Sequence, residues 1–230
     1  MKHQFIRLVI IAIVTVVGYY IIISVYSQDN QKTVNEVLIE LDIQGVNELA
    51  KDVNNIEEII IIGLKQEQLL EVWKKTKDGE LTKLITYPWT ATSGDLGPKL
   101  KQGDLQIPEG IYKIDFLHPN SSYHLSMRVN YPNVFDKKKA KTEGRTNLGG
   151  DIFIHGKNVT IGCIPIGDQA IEELFYLVGR VGKEKVKVII SPYDMRAKNQ
   201  DLEIDSVTWE KELYTRIKQE LSQYKIKLSK

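Results

Sequence analysis

The chain has 230 residues, with 31 lysines and arginines against 30 aspartates and glutamates, a formal net charge of +1. Acids and bases are interspersed, which removes the electrostatic case for a nucleic-acid partner. A single cysteine excludes a disulfide within the chain, and one Cys with four His supplies neither CxxC nor HExxH spacing, so no metal centre is expected.

Lys2, His3 and Arg7 precede a span from Leu8 to Tyr26 that carries no charge. At ~1.5 Å per residue such a helix measures roughly 29 Å, about one hydrocarbon core. A cleavable signal peptide is the alternative, but the span is long for one and no clear small-x-small cleavage site follows it. The expectation is a single-pass anchor over residues 1–27, its Lys2/Arg7 end in the cytoplasm and the rest of the chain outside. Residues 28–55 are polar and acidic with scattered Leu38, Leu41, Ile43, Val46 and Leu49, which reads as a helical spacer.

From Ile56 the pattern becomes β. Ile59 to Leu64 is a continuous apolar run, Lys65 to Gln68 a polar turn, and Leu69 to Trp73 a returning strand. Asp78-Gly79 is a second turn signal before Leu81, Leu84 and Ile85. Thr92 to Glu109 is dense in Gly and Pro and reads as a loop entering a strand at Ile111. A turn at His118-Pro119 leads to an alternating strand, with Tyr123, Leu125 and Met127 on one face and His124, Ser126 and Arg128 on the other. The run Lys137-Lys138-Lys139-Ala140-Lys141 reads as a solvated loop.

The segment Gly149 to Pro165 holds the cysteine. Ile152-Phe153-Ile154 is a short strand ending in His155-Gly156, and Cys163 follows between Gly162 and Ile164. A strand with a tight return brings imidazole beside thiol. A free thiol has a pKa near ~8.5, so a nucleophilic cysteine needs a base or cation close by, and His155 can be that base. Gly162 lets backbone approach a substrate, and the N–H groups of Gly162 and Cys163 could face a developing oxyanion. On residues alone, a lone cysteine is also commonly a small buried hydrophobe. Beyond it, Asp168 can N-cap a helix ending at Gly179, Lys185 to Ser191 is a strand closed by Pro192, and Ser206 to Leu221 has helical spacing. Strands in quick succession give a mostly β domain with a few helices.

The stretch His155-Gly156 to Thr160-Ile161-Gly162-Cys163 resembles the His-Gly … Ser/Thr-x-Gly-Cys signature of the L,D-transpeptidase catalytic domain, the YkuD domain. Gly97-Pro98-Lys99, Gly103-Asp104 and Ile107-Pro108-Glu109-Gly110-Ile111-Tyr112 resemble a second motif of that family, with Ile107 where Thr is usual. Tyr123-His124-Leu125-Ser126, Tyr131-Pro132-Asn133 and Gly144-Arg145-Thr146 are similar to its YafK-like branch. The resemblance covers roughly residues 56–192, leaving 193–230 as a helical appendage.

It implies an α+β, mainly β fold, the β-sandwich of the family, and a cysteine enzyme acting on peptidoglycan stem peptides without metal or organic cofactor. Cys163 would be the nucleophile, His155 the base, and Gly162 and Thr160 parts of the catalytic loop. Of the four histidines, His155 alone holds the His-Gly position. Tyr123, His124, Ser126 and Arg128 would line the substrate cleft. Many members carry His before Gly-Cys and Arg two residues after Cys, where this chain has Ile161 and Pro165. Arg145 or Arg128 would then replace that arginine as a carboxylate clamp. Three readings stay open at this point: acyl transfer to an amine, hydrolysis of the same L,D bond, and a non-catalytic wall-binding domain. The sequence does not address oligomeric state.

Overall fold

A computed structural model of the chain describes residues 15–19, 31–196 and 207–225. Residues 15–19 are helical (α1), in a unit that runs to Thr33. The expected anchor over Leu8–Tyr26 lies outside the described residues apart from that stretch. Among the described residues no helix is long and apolar enough to cross a membrane.

Val34 onward forms a second unit, organised on eight strands. These are β1 (Ile56–Leu64), β2 (Leu69–Thr76), β3 (Leu81–Pro88), β4 (Gly110–Ser121), β5 (His124–Val129), β6 (Ile152–His155), β7 (Ile164–Pro165) and β8 (Val186–Ser191). They pair in the order β3-β2-β1-β8-β4-β5-β6-β7, parallel at β1–β8 and β6–β7 and antiparallel elsewhere. The fold is α+β and mainly β. Its two halves share β4: Gly110–Lys113 pairs with β8, and from Ile114 the strand pairs with β5, with a register shift between Ile114 and Phe116. The strand runs on through His118-Pro119, where a turn was expected, so the reversal falls at Ser122-Tyr123.

The continuous apolar run of β1 is explained by its cover. Ile59 and Ile61 join one core with Ile171, Leu174, Phe175 and Val178 of helix α4 (Asp168–Val181). Ile60, Ile62 and Leu64 join a second with Trp209 and with Leu213, Ile217 and Leu221 of helix α5 (Glu210–Leu221). A strand covered on both faces must be apolar at successive positions. The tail expected as an appendage therefore supplies one wall of a core.

Helix α2 (Val34–Ile43) also differs from the expected spacer. Val37, Leu38 and Leu41 share one face and are buried in the α4 core. Gly179 of α4 makes the fit: a Cβ there would lie 2.7 Å from Leu38 Cδ2. The glycine is thus a contact point, and α4 continues past it to Val181 with Gly182 as its C-cap. At the other end Gly167 is the N-cap where Asp168 was expected. The lysine run lies in helix α3 (Val134–Thr142), started by a capping box between Asn133 and Asp136.

The irregular segment 92–109 is held by a buried ion pair. Lys65, expected in a solvated turn, points inward to Glu109 at 2.9 Å, with the two side chains 4% and 0% exposed. Its ammonium also donates to the carbonyls of Gly97 and Ile107, each at 3.0 Å. Glu109 accepts in addition from Gly97 N–H (2.7 Å) and from the Tyr214 hydroxyl of α5 (2.7 Å). Burial pulls the Lys65 ammonium below its ordinary value while Glu109 holds it up. Removing one partner of such a pair strands the other charge, at a cost of about 3–5 kcal/mol. Lys65→Met is therefore expected to lower the guanidinium unfolding midpoint by a corresponding amount. A loss below ~1 kcal/mol would mean that the pair does not hold the loop.

Candidate functional site

The half-sheet β4–β5–β6–β7 turns one face to the α4 core and the other to the site. Leu117, Leu125, Met127, Val129, Ile152, Ile154 and Ile164 fill the core face. Register sets the opposite face in two rows: Arg128 lies between Phe116 and Phe153, and Ser126 between His118 and His155. Strand β7 pairs Ile164 with Ile154 and Pro165 with His155, so the preceding residue, Cys163, falls beside Phe153 at the end of the first row. Cys163 lies in the bend just outside that ladder, two positions before Pro165, the register partner of His155.

The thiol is half-buried. Sγ accepts from Phe153 N–H at 3.4 Å and donates to the Asp151 carbonyl at 3.6 Å. Among the described residues it has no hydrogen bond to His155. Burial pushes the thiol above its ordinary value. The Phe153 N–H opposes this, Asp151 adds to it, and the Lys99 ammonium lowers it slightly. A carbonyl only accepts, so the Asp151 contact calls for a proton on Sγ.

His155 is 1% exposed and its ring lies under Tyr123, with centroids 4.7 Å apart. Its Nδ1 is 2.6 Å from the Gly156 carbonyl. A carbonyl can only accept, so Nδ1 carries the proton, and in neutral imidazole Nε2 is left as the lone pair. Burial keeps the imidazole below its ordinary value despite that bond. Gly156 has no room for a side chain: a Cβ would sit 2.8 Å from the Tyr123 carbonyl and 2.5 Å from Asp168 Oδ1.

The loop between imidazole and thiol is shaped by Thr160. Its Oγ1 accepts from Gly162 N–H (3.1 Å) and Cys163 N–H (2.8 Å) and donates to the Cys163 carbonyl (2.7 Å). The two amides expected to face an oxyanion are thus satisfied within the loop. Gly162 has φ of 131°, a backbone state side chains avoid, and a Cβ there would stand 3.2 Å from the Gln106 carbonyl.

The expected cleft residues divide. Ser126 is register partner to His155, and Tyr123 stacks on the same ring, so both belong to the site face. His124 does not. Its φ of 74° breaks the strand alternation and sends its ring to Glu172 of α4, at 2.6 Å, exchanging the faces expected for Tyr123 and His124. Arg128 is on the site face and 40% exposed, with Nε on Asp115 (2.8 Å) and a terminal nitrogen 3.9 Å from Asp151. Arg145 is spent elsewhere, on Glu143 and the Leu100 carbonyl.

Sequence reasoning passed over Asp151, Phe153 and Gln106, which act through backbone atoms that no side-chain pattern reveals. Among the described residues no group of three or more His, Cys, Asp or Glu is placed to hold a metal ion.

A family model described as the L,D-transpeptidase catalytic domain, YkuD, matches residues 57–190. Two curated Escherichia coli proteins, of strains K12 and O157:H7, each named "Putative L,D-transpeptidase YafK", are 35% identical over 141 residues. The match covers 59% of this chain and 54% of theirs, so the chain spans about half the length of those relatives. Among solved structures, the helical cell shape determining protein Pgp2 of Campylobacter jejuni aligns with a TM-score of 0.48 at 20% identity, covering 80% of this chain and 78% of that one. Bd1075 of Bdellovibrio bacteriovorus aligns at 0.44 and 22%, covering 75% and 57%.

The electrostatics at Sγ generate a pH prediction. A thiol held above its ordinary value reacts through a thiolate that appears only at higher pH, so alkylation of Cys163 is expected to rise with a midpoint above ~8.5. Iodoacetamide rates between pH 5 and 10, followed by intact mass, check this. A midpoint below 7 would indicate a preformed thiolate–imidazolium pair instead.

Proposed function

The chain belongs to the L,D-transpeptidase catalytic domain family, and from that premise we propose that it is a cysteine acyltransferase of the cell wall, with Cys163 as nucleophile and His155 as general base. One observation carries the reading. Cys163 closes the short loop that opens right after His155, its thiol rests against Phe153 two residues before the imidazole, and the ring is held through Nδ1 so that Nε2 is the acceptor.

In this reading Sγ leaves its rest between Phe153 and Asp151 and moves to Nε2 when substrate binds, as the looser catalytic contacts of unliganded sites allow. Nε2 takes the thiol proton as sulfur bonds to the carbonyl carbon on the L side of an L,D peptide bond in a stem. Collapse breaks the C–N bond, and the imidazolium returns its proton to the departing D-side amine. The stem remains as a thioester on Cys163. An acceptor amine then attacks, His155 takes its proton, and the restored thiol leaves with it.

Thr160 keeps the loop in shape at rest, and its hydroxyl must turn away before the Gly162 and Cys163 amides can serve an oxyanion. Arg128 is the cation this reading gives to a stem carboxylate, in place of the arginine absent at Pro165. Hydrolysis of the same bond is the second reading, favoured by Pro165 standing where many family members carry an arginine. Without a built acceptor groove, water competes for the acyl carbon.

The test is incubation of the purified protein with muropeptides and mass spectrometry of products. Cys163→Ala is expected to lose at least ~10³-fold of turnover, and His155→Ala to lose comparably without adding to it. Dimers joined through two diamino-acid residues indicate transpeptidation, and shortened stems alone indicate hydrolysis. A Cys163→Ala protein that keeps its activity removes the nucleophile assignment.

The uncharged span Leu8–Tyr26 behind Lys2 and Arg7 further places the catalytic unit, in this reading, outside the membrane on a single-pass anchor. The full-length protein is then expected in the membrane fraction after alkaline extraction. A soluble mature chain starting near Gln28 would show a cleaved signal instead.

A further inference from the structure

The residue after the His-Gly pair, Lys157, has φ of 58°, the left-handed region that lysine disfavours. Contacts from three separate elements hold it there. Asp168 Oδ1, at the start of α4, accepts its N–H at 2.8 Å. The Ser122 carbonyl, at the β4–β5 turn, accepts its ammonium at 2.7 Å. Thr90, just past β3, donates its hydroxyl to the Lys157 carbonyl at 2.6 Å. Thr90 also donates its own N–H to the Pro165 carbonyl at 2.9 Å, so it ties the strand behind the thiol to the loop behind the imidazole.

The Asp168 bond matters because of whose peptide it grips. The Lys157 N–H and the Gly156 carbonyl belong to one planar peptide unit and point to opposite sides of it. On the carbonyl side sits His155 Nδ1, at 2.6 Å. A chain therefore runs from imidazole through one peptide group to a carboxylate, and hydrogen bonds in series polarise one another. Turning that peptide would cost His155 the acceptor that fixes its tautomer. Asp168 is exposed and does not cap α4, so helix formation does not explain the direction of its carboxylate.

We propose that Asp168 is a positioning residue for His155: through the Gly156–Lys157 peptide its carboxylate holds the imidazole in the Nδ1–H tautomer, and Thr90 holds the same loop against the strand that follows Cys163. This rests on the reading of His155 as base, and deepens it. The arrangement does the work of the third member of a catalytic triad, which orients the base without touching substrate. It delivers that hold through backbone.

The test reads the tautomer directly, by long-range ¹H–¹⁵N correlation of the His155 ring, alongside muropeptide turnover. Wild type is expected to show the single Nδ1–H form. Asp168→Ala and Thr90→Val are expected to show both forms and a kcat lower by about 10- to 100-fold with KM little changed. Asp168→Asn and Thr90→Ser keep the acceptor and the donor respectively, and are expected to restore the single form. Thr90→Val, nearly isosteric, carries the test if Asp168→Ala fails to fold. An unchanged tautomer in both disruptive variants overturns the proposal. If the tautomer shifts while turnover stays at the wild-type level, Asp168 positions the ring and it is the base assignment that fails.

Discussion

Neighbouring parallel strands normally need a dozen or more residues of crossover, and β6 and β7 are joined by the eight residues 156–163. That short return governs the rest of the site. The chain can double back so tightly only by entering the left-handed region at Lys157 and again at Gly162. It also needs a glycine at 156, where other backbone already fills the space of a Cβ. Thr160 then ties off the loop with three hydrogen bonds from one hydroxyl. The reward is position: the thiol and the imidazole stand at the two ends of a loop that has almost no freedom to separate them.

A loop this constrained must lean on something stiff, and two supports supply that. On one side α4 packs its apolar face into the sheet, which presents Asp168 to the loop. On the other, segment 92–109 brings the Gln106 carbonyl against Gly162 and Lys99 near the thiol. That segment has no regular structure of its own. Its rigidity is borrowed from Lys65 on the β1–β2 turn and from Glu109, and through Tyr214 from α5 at the far end of the chain. The burial of both charges makes the arrangement intolerant of losing either alone.

Much of this was legible in the sequence where periodicity or motif speaks locally. Strands β1 to β3, the core face of α4 and the short β6 strand that carries His155 all follow from patterns a few residues long. What escaped depended on long-range geometry. Lys65 looks like a turn residue because its partner is Glu109, far along the chain. Gly179 looks like a helix end because its neighbour Leu38 belongs to a helix read as a spacer. Tyr123 and His124 changed places because one left-handed residue shifts the alternation of a strand, and nothing in the type of residue 124 announces it. Arg145 was a reasonable candidate by charge alone, and Glu143, two residues away, had already claimed it. The lysine run read as a loop is helical because Asn133 and Asp136 form a capping box just ahead of it.

The resting place of the sulfur has one more consequence. Oxidants attack thiolate far more readily than thiol, and a sulfur that spends its time ionised is soon lost as sulfenic acid or a mixed disulfide. Cys163, its thiol turned toward the Asp151 carbonyl and pushed upward by burial, is shielded from that chemistry at rest. If the proposed reading holds and the site works where disulfides form freely, a thiol kept unpaired with the imidazole gives up some readiness in exchange for a long working life.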